Sequence, residues 1–183
     1  KIPFQPNGTP AKSNDPATWS SLAECQATTG YSGIGYVFAP DDPFTGIDLD
    51  GCYNQGEIEP WAAEILDQFP SYAEVSPSGR GIKIWIRGKL PDGRGRKREI
   101  ATGQAIEVYD RARYFCFTGQ ALGDLEMRTD KAAQFFRHRE GEQEVGHGQE
   151  QPRLLTLQPC GGIGLTAERA VPVVARMIAV GKG

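Results

Sequence analysis

The stretch DPFTGIDLDG, residues 42–51, combines the pattern of a β-strand with a pair of acids. The apolar Ile47 and Leu49 alternate with Asp48 and Asp50. Successive side chains on a strand point to opposite faces, so one face is apolar and the other carries both carboxylates. Like charges on one face repel each other, and we therefore predict that the pair binds a divalent metal ion. The alternative is that both acids are merely solvated on the outer face of a sheet.

Two later stretches show the same alternation. In IEVY, residues 106–109, the aliphatic side chains lie on one face and Glu107 on the other. In IKIWIR, residues 82–87, three isoleucines lie on one face and Lys83 on the other. If these strands are neighbours of the first in one sheet, Glu107 and Lys83 converge with the two aspartates. Three hard carboxylates favour Mg²⁺ or Mn²⁺, which prefer oxygen ligands.

Size and composition set bounds on the kind of protein. The chain has 183 residues, enough for one domain with a packed core, and its net charge is −3. It therefore has no global positive field that would indicate nucleic acid. No apolar run approaches the ~20 residues that cross a bilayer, so we expect no membrane partner. The four cysteines are far apart, which does not favour a zinc site, and we expect them to be reduced thiols.

The order of predicted elements indicates an α+β fold, with a mostly antiparallel sheet and helices packed on one face. A loop rich in glycine, lysine and arginine is expected over 88–99. Helices are predicted over 14–29 and 57–70, and strands over 32–39, 44–51, 72–76, 82–87, 105–110 and 112–119.

The character of the sequence changes after about residue 130. We expect a structured domain over 1–132 and a polar linker or mobile loop over 133–152. A C-terminal segment over 153–183 follows, with a helix predicted over 166–180.

The turn SPSGRGIK, residues 76–83, is a candidate phosphate site. Ser78, Arg80 and Lys83 surround two glycines, and backbone amides in such a turn can cradle a phosphate whose charge the lysine meets. The turn is not a Walker A loop, because its spacing differs. The alternative is a tight hairpin turn with polar edges.

Basic residues cluster over 87–98, where six of them and one acid give a local charge of +5. In an acidic chain this asymmetry predicts contact with a nucleic-acid backbone. A solvated flexible loop is the alternative. Arg113 lies beside the last predicted strand pair and is a further candidate for binding triphosphate or template. The candidate nucleic-acid-binding residues of the loop are Lys89, Arg94, Arg96, Lys97 and Arg98.

Taken together, GIDLDG, SPSGRGIKIW and IEVYDRARYFCFTG resemble the three motifs of the primase-polymerase domain found in phage and plasmid replication proteins. That domain belongs to the archaeo-eukaryotic primase superfamily. The resemblance covers roughly residues 1–125 and identifies 1–132 as the catalytic domain. It implies a core built on an RNA-recognition-like sheet, nucleotidyl transfer, and two Mg²⁺ or Mn²⁺ ions.

The resemblance also implies roles for individual residues. Its first motif, D-x-D, corresponds to Asp48 and Asp50, and the single acid of its third corresponds to Glu107. These three would be catalytic and would hold the metals. The second motif usually ends in a histidine that touches the nucleotide's phosphates, and Lys83 stands there in this chain. Lysine can bind phosphate as a point charge but cannot make the same directed imidazole contact. The nucleotide-binding set would be Ser78, Arg80, Lys83 and Arg113.

The implied function is that of a DNA primase and DNA polymerase domain, acting by template-directed, two-metal nucleotidyl transfer. Its partners would be a DNA template and primer, nucleoside triphosphates and a helicase domain or protein. It would act in the cytoplasm, that of a bacterial host if phage or plasmid encodes it. Two alternatives stay open: a metal-dependent nuclease built on a similar acidic cluster, and a non-catalytic module that binds single-stranded DNA.

Overall fold

The computed structural model describes residues 2–123 and 177–180. Within these residues there are two α-helices, α1 (Leu22–Ala27) and α2 (Pro60–Gln68), and a single 3-10 turn at Pro16–Thr18. The strands are β1 (Pro3–Phe4), β2 (Gly33–Phe38), β3 (Phe44–Asp50), β4 (Tyr53–Asn54), β5 (Glu57–Ile58), β6 (Ala73–Val75), β7 (Ile82–Arg87), β8 (Arg96–Ala101), β9 (Gln104–Tyr109), β10 (Arg113–Cys116) and β11 (Met177–Val180).

The strands form two main sheets and a small hairpin. The order is β6-β7-β3-β9-β8 in the five-stranded sheet and β1-β11-β2-β10 in the four-stranded sheet, while β4 pairs with β5. Adjacent strands are antiparallel throughout. The prediction of a mostly antiparallel α+β fold is confirmed. The expectation of one sheet is wrong, because β2 and β10 pair with each other in a second sheet.

The main core lies between the five-stranded sheet and α2. The helix begins at Pro60, which suits a first helical position because it lacks an N–H, and ends just before Phe69 and Pro70. Its apolar residues recur at helical spacing and face the sheet. The buried side chains at this contact include Ile47, Leu49, Ile82, Ile84, Ile106 and Val108 of the sheet and Ala62, Ile65 and Phe69 of the helical segment.

The opposite face of the five-stranded sheet packs against the second sheet through aromatic rings. Phe38 and Phe115 meet edge to face with ring centroids 4.9 Å apart, and Trp85 meets Phe115 in the same way at 5.6 Å. Gly46 lies beneath these rings on β3. A Cβ atom there would lie 2.3 Å from Phe115 Cε2 and 2.5 Å from Phe38 Cζ, so only glycine allows the sheets to approach this closely.

We predict that Gly46→Ala lowers the free energy of unfolding by about 2 kcal/mol, because the added methyl overpacks this aromatic contact. Urea unfolding followed by circular dichroism measures the change. Gly33→Ala is the matched control, since it also adds a methyl to a strand, but its nearest new neighbour lies 3.9 Å away. Equal stability of Gly46→Ala and the parent would contradict the proposed close approach.

Two elements differ from the sequence-based predictions. Residues 96–101, expected partly within the loop 88–99, form the edge strand β8. The charged sequence RKREIA hides the usual alternation, and such charges are common on sheet edges. The helix predicted over 166–180 is wrong for residues 177–180, which form β11. This short apolar run is fully buried between β1 and β2, so strand pairing prevails over helical pattern.

The remaining predictions for the C-terminal part, the linker over 133–152 and most of 153–183, lie outside the described residues. The predicted N-terminal helix is present in two pieces, the 3-10 turn and α1. Within 2–123 and 177–180, no helix is long and apolar enough to cross a membrane. The cysteines in this part, Cys25, Cys52 and Cys116, are buried and form no disulfide with one another.

Candidate active site

A row of charged side chains runs across the five-stranded sheet on the face turned toward the second sheet. Strand register places Glu74 opposite Lys83, Lys83 opposite Asp48, Asp48 opposite Glu107, and Glu107 opposite Lys97. Directly opposed residues share a face of the sheet, so the row gathers three acids and two lysines on one surface, with Asp48 and Glu107 side by side at its centre. The three strands that carry the sequence motifs are therefore neighbours, and Glu107 lies on the same face as the aspartate pair.

Asp48 is the centre of this row. Its Oδ2 accepts a hydrogen bond from Lys83 Nζ, whereas its Oδ1 is buried without a hydrogen-bond partner among the described residues. Burial raises the pKa of Asp48, and the negative charges of Asp50 and Glu107 add to that rise, while Lys83 opposes it. The same ammonium lies 4.2 Å from the centroid of the Phe115 ring. Asp48 thus has one oxygen paired with a lysine and one buried oxygen without a hydrogen-bond partner among the described residues.

Glu107 is held differently. Lys97 Nζ lies 2.7 Å from its Oε1, and the Tyr109 hydroxyl donates to its Oε2 at 2.8 Å. Burial acts to raise the pKa of Glu107, but these two hydrogen bonds and the charges of Lys97 and Arg113 outweigh it, so the pKa is lowered. The Arg113 guanidinium lies 4.7 Å from the centroid of the Tyr109 ring. Glu107 is therefore favoured as a charged carboxylate.

Three carboxylates on this face are candidate ligands for a hard divalent cation. They belong to Asp48, Asp50 and Glu107, and one of their oxygens, Asp48 Oδ1, is buried and unpartnered. Carboxylate oxygens of this kind suit Mg²⁺ or Mn²⁺. In the described part of the chain, no three acidic, histidine or cysteine side chains are already gathered into a coordination group. Two of the carboxylates form ion pairs with lysines instead, Asp48 with Lys83 and Glu107 with Lys97.

The turn between β6 and β7 lies beside Asp50, at the end of β3. Ser76 Oγ and Ser78 Oγ are 2.9 Å apart, and the Arg80 amide donates to Ser78 Oγ at 3.3 Å. A Cβ atom at Gly81 would lie 2.5 Å from the carbonyl oxygen of Leu49, so the turn packs directly on the end of β3. The side chains of Ser78 and Arg80 are exposed. The turn thus presents a hydroxyl and a guanidinium to solvent beside the carboxylates.

The basic residues of 87–98 do not form one surface. Because 96–101 is a strand, its side chains alternate, and Lys97 faces the charged row. Arg96 and Arg98 oppose Val108 and Ile106 and so lie on the other face of the sheet. Arg94 is exposed in the loop before the strand. The predicted nucleic-acid set is therefore divided between two faces and a loop.

Lys89, predicted as a nucleic-acid contact, has partners within the fold. Its ammonium donates to the carbonyl oxygens of Ala39 and Asp110, both at 2.8 Å. It also lies 3.6 Å from Asp42 Oδ1 and 3.9 Å from Asp110 Oδ2. Both of these carboxylates are buried, and they need this positive charge inside the protein.

Glu74 belongs to the row, although the sequence reasoning missed it. It is fully buried, and it accepts hydrogen bonds from the Tyr72 hydroxyl and from the amide and hydroxyl of Thr118, the last two at 2.7 and 3.0 Å. The alternation in YAEV, with Ala73 and Val75 on one face, was the available signal. Through its hydrogen bonds to Thr118, Glu74 links β6 to the segment that follows β10.

An antiparallel sheet with carboxylates on one face and a turn that bears Ser78 and Arg80 beside them is the arrangement expected of the primase-polymerase domain that the motifs resemble. Comparison with known proteins supports this assignment. The chain is 40% identical over 128 residues to a DNA primase-polymerase of Nitratiruptor phage NrS-1, a match that covers 67% of this chain. The recognition of a primase-polymerase domain from its motifs is thereby confirmed.

The match covers 18% of the phage protein, so the chain spans less than a fifth of the length of this relative. No family model matches the sequence.

Proposed function

We propose that this chain is the catalytic domain of a DNA primase-polymerase, which adds nucleotides to a DNA strand under the direction of a template. The observation that carries the proposal is the register that sets Glu107 directly opposite Asp48 on one face of the sheet. The similarity to a phage DNA primase-polymerase supports it. We further assign the five-stranded sheet as the RNA-recognition-like core of the archaeo-eukaryotic primase superfamily.

In this proposal, Asp48, Asp50 and Glu107 would hold two Mg²⁺ or Mn²⁺ ions. Such ions, when bound, would activate the 3′-hydroxyl of a primer and neutralise the departing pyrophosphate. The lowered pKa of Glu107 keeps that carboxylate charged at neutral pH. The unpartnered Oδ1 of Asp48 supplies an oxygen that needs no other bond to be broken.

The groups proposed for the triphosphate surround these carboxylates. Lys83 bears its positive charge next to Asp48. The exposed Ser78 and Arg80 belong to the turn that packs beside Asp50. Arg113, above Tyr109, adds a guanidinium on the Glu107 side. Positive groups on two sides of a carboxylate cluster suit a metal-bound triphosphate, because the charge of the two ions is shared between the triphosphate and three carboxylates.

DNA would lie along the basic edge of the sheet. Lys97 on β8 and Arg94 before it are the candidates on or near the face of the carboxylates, and contacts with phosphate supply affinity without sequence preference. Arg96 and Arg98 could only reach DNA that passes around the edge. We expect a helicase to act together with this domain in replication, in the cytoplasm of a bacterial host.

Primer extension tests the proposal. A fluorescent primer annealed to a longer template should lengthen when the protein, deoxynucleoside triphosphates and Mn²⁺ or Mg²⁺ are present, and a chelator should stop the reaction. A parallel reaction without primer reports initiation. Shortening of the labelled strand would instead favour the nuclease, and binding without lengthening or shortening would favour the single-stranded DNA-binding module.

A further inference from the structure

We propose that Lys83 and Lys97 are built-in counterions that occupy the site carboxylates before metal binds and are displaced from them when it binds. The displaced ammonium groups would then serve the phosphates of the nucleotide. This inference rests on the proposed function, because it concerns the same carboxylates, and it assigns a specific order to the loading of the site.

The position of Lys83 carries the first part of the argument. Its Nζ bonds to Asp48 Oδ2, so one of the two oxygens that a metal would use is already neutralised by a protein cation. Both side chains are mostly buried, with relative exposures of 13% and 16%, and the attraction between them is therefore screened little by water. A metal that takes both oxygens of Asp48 has to compete with this ammonium.

Lys97 repeats the arrangement on the other side of the row. Its Nζ lies 2.7 Å from Glu107 Oε1, and the two residues oppose each other on adjacent strands. The Lys97 side chain is 53% exposed, so its bond is weaker and more easily exchanged. The sheet thus places one lysine against each of the two carboxylates that face each other across β3 and β9.

Charge balance gives the exchange its direction. The three carboxylates and the two lysines together carry a net charge of −1. Two divalent ions would leave the carboxylates alone at +1, and lysines kept in place would raise this to +3. Such a site repels its own lysines and attracts a triphosphate. Metal loading therefore favours rotation of both ammonium groups toward the phosphates.

Mn²⁺ binding without nucleotide tests the exchange. Removing a competing cation should strengthen metal binding, so we expect Lys83→Met to bind Mn²⁺ roughly tenfold more tightly than the parent in isothermal titration calorimetry, and Lys97→Met about two- to threefold more tightly. Arg98→Met is the matched control. It removes the same charge from the next position of β8, but on the opposite face, and should leave Mn²⁺ affinity unchanged.

The nucleotide supplies a second readout with the opposite sign. With saturating Mn²⁺, Lys83→Met should bind a fluorescent deoxynucleoside triphosphate several-fold more weakly than the parent, because the displaced ammonium is then missing. Circular dichroism establishes that each variant is folded. If Lys83→Met does not fold, Lys97→Met carries the test, because it removes only a half-exposed ion pair.

The possible results separate the inference from the proposed function. Mn²⁺ affinity that is unchanged or weaker in both lysine variants, with primer extension retained by the parent, overturns the inference alone. An equal increase of Mn²⁺ affinity in Arg98→Met also overturns it, since the loss of any positive charge from the sheet would then explain the effect. A parent protein that neither binds Mn²⁺ nor extends a primer overturns the proposed function and the inference together.

Discussion

Asp48→Asn is expected to reduce nucleotide incorporation by roughly a thousandfold or more, which corresponds to about 4 kcal/mol of lost transition-state stabilisation. Asparagine keeps the shape of the side chain but removes the negative charge at the centre of the row. Asp48 opposes both Lys83 and Glu107 across its two neighbouring strands, so no other carboxylate can take its place. Rates of single-nucleotide addition to a labelled primer measure the effect.

The matched control for this loss is Asp67→Asn, which removes a carboxylate from the exposed side of α2, on the other side of the sheet. It should extend the primer at the parental rate. Binding of primer-template DNA should persist in Asp48→Asn, because phosphate contacts supply that affinity. An Asp48→Asn protein that retains more than a tenth of the parental rate would remove Asp48 from the catalytic set.

Lys89→Met should destabilise the fold by about 3 kcal/mol, since it leaves two buried carboxylates without their shared cation. Asp42 and Asp110 both lie within 4 Å of the Lys89 ammonium. Asp110 keeps its bond to Arg111, at 2.9 Å, and Asp42 keeps the hydrogen bonds that it accepts from the amides of Ala39 and Phe44. The change is measured as a lower midpoint in urea unfolding.

Arg94→Met is the comparison for Lys89→Met, because it removes the same charge from an exposed position in the same basic segment. It should leave stability unchanged and weaken DNA binding modestly, with a smaller salt dependence. A Lys89→Met protein that is as stable as the parent but binds DNA less well would contradict the structural role and favour the predicted contact of Lys89 with nucleic acid.

The strands that were predicted well are those in which apolar and polar residues alternate strictly. The strand IKIWIR was predicted over 82–87, the range that it occupies, because three buried isoleucines alternate with longer side chains. The same pattern at 47–50 and 106–109 placed the acids on one face of neighbouring strands. Helix α2 followed from apolar residues at helical spacing and from Pro70, which ends it. Its start was predicted three residues too early, at residue 57, because Glu57–Ile58 form β5 and the helix begins at Pro60.

The parts that could not be predicted depend on contacts between distant segments. The many charged residues of β8 conceal its strand pattern, and its structure depends on pairing with β9. Because the strand was not predicted, the ion pair of Lys97 with Glu107 was not predicted either. The packing of the two sheets against each other depends on the close approach at Gly46, which a sequence pattern does not reveal. The role of Lys89 depends on carboxylates that lie 47 residues before it and 21 residues after it.

The place of β11 also has a consequence for the order of folding. Residue 178 opposes residue 35 in the four-stranded sheet, whereas the five-stranded sheet joins strands that all lie within residues 44–109. Closing a long loop costs more entropy, and pairings distant in sequence form more slowly. During synthesis on the ribosome, the sheet that bears the acidic row can therefore assemble first, and the other waits for residues 177–180 to emerge.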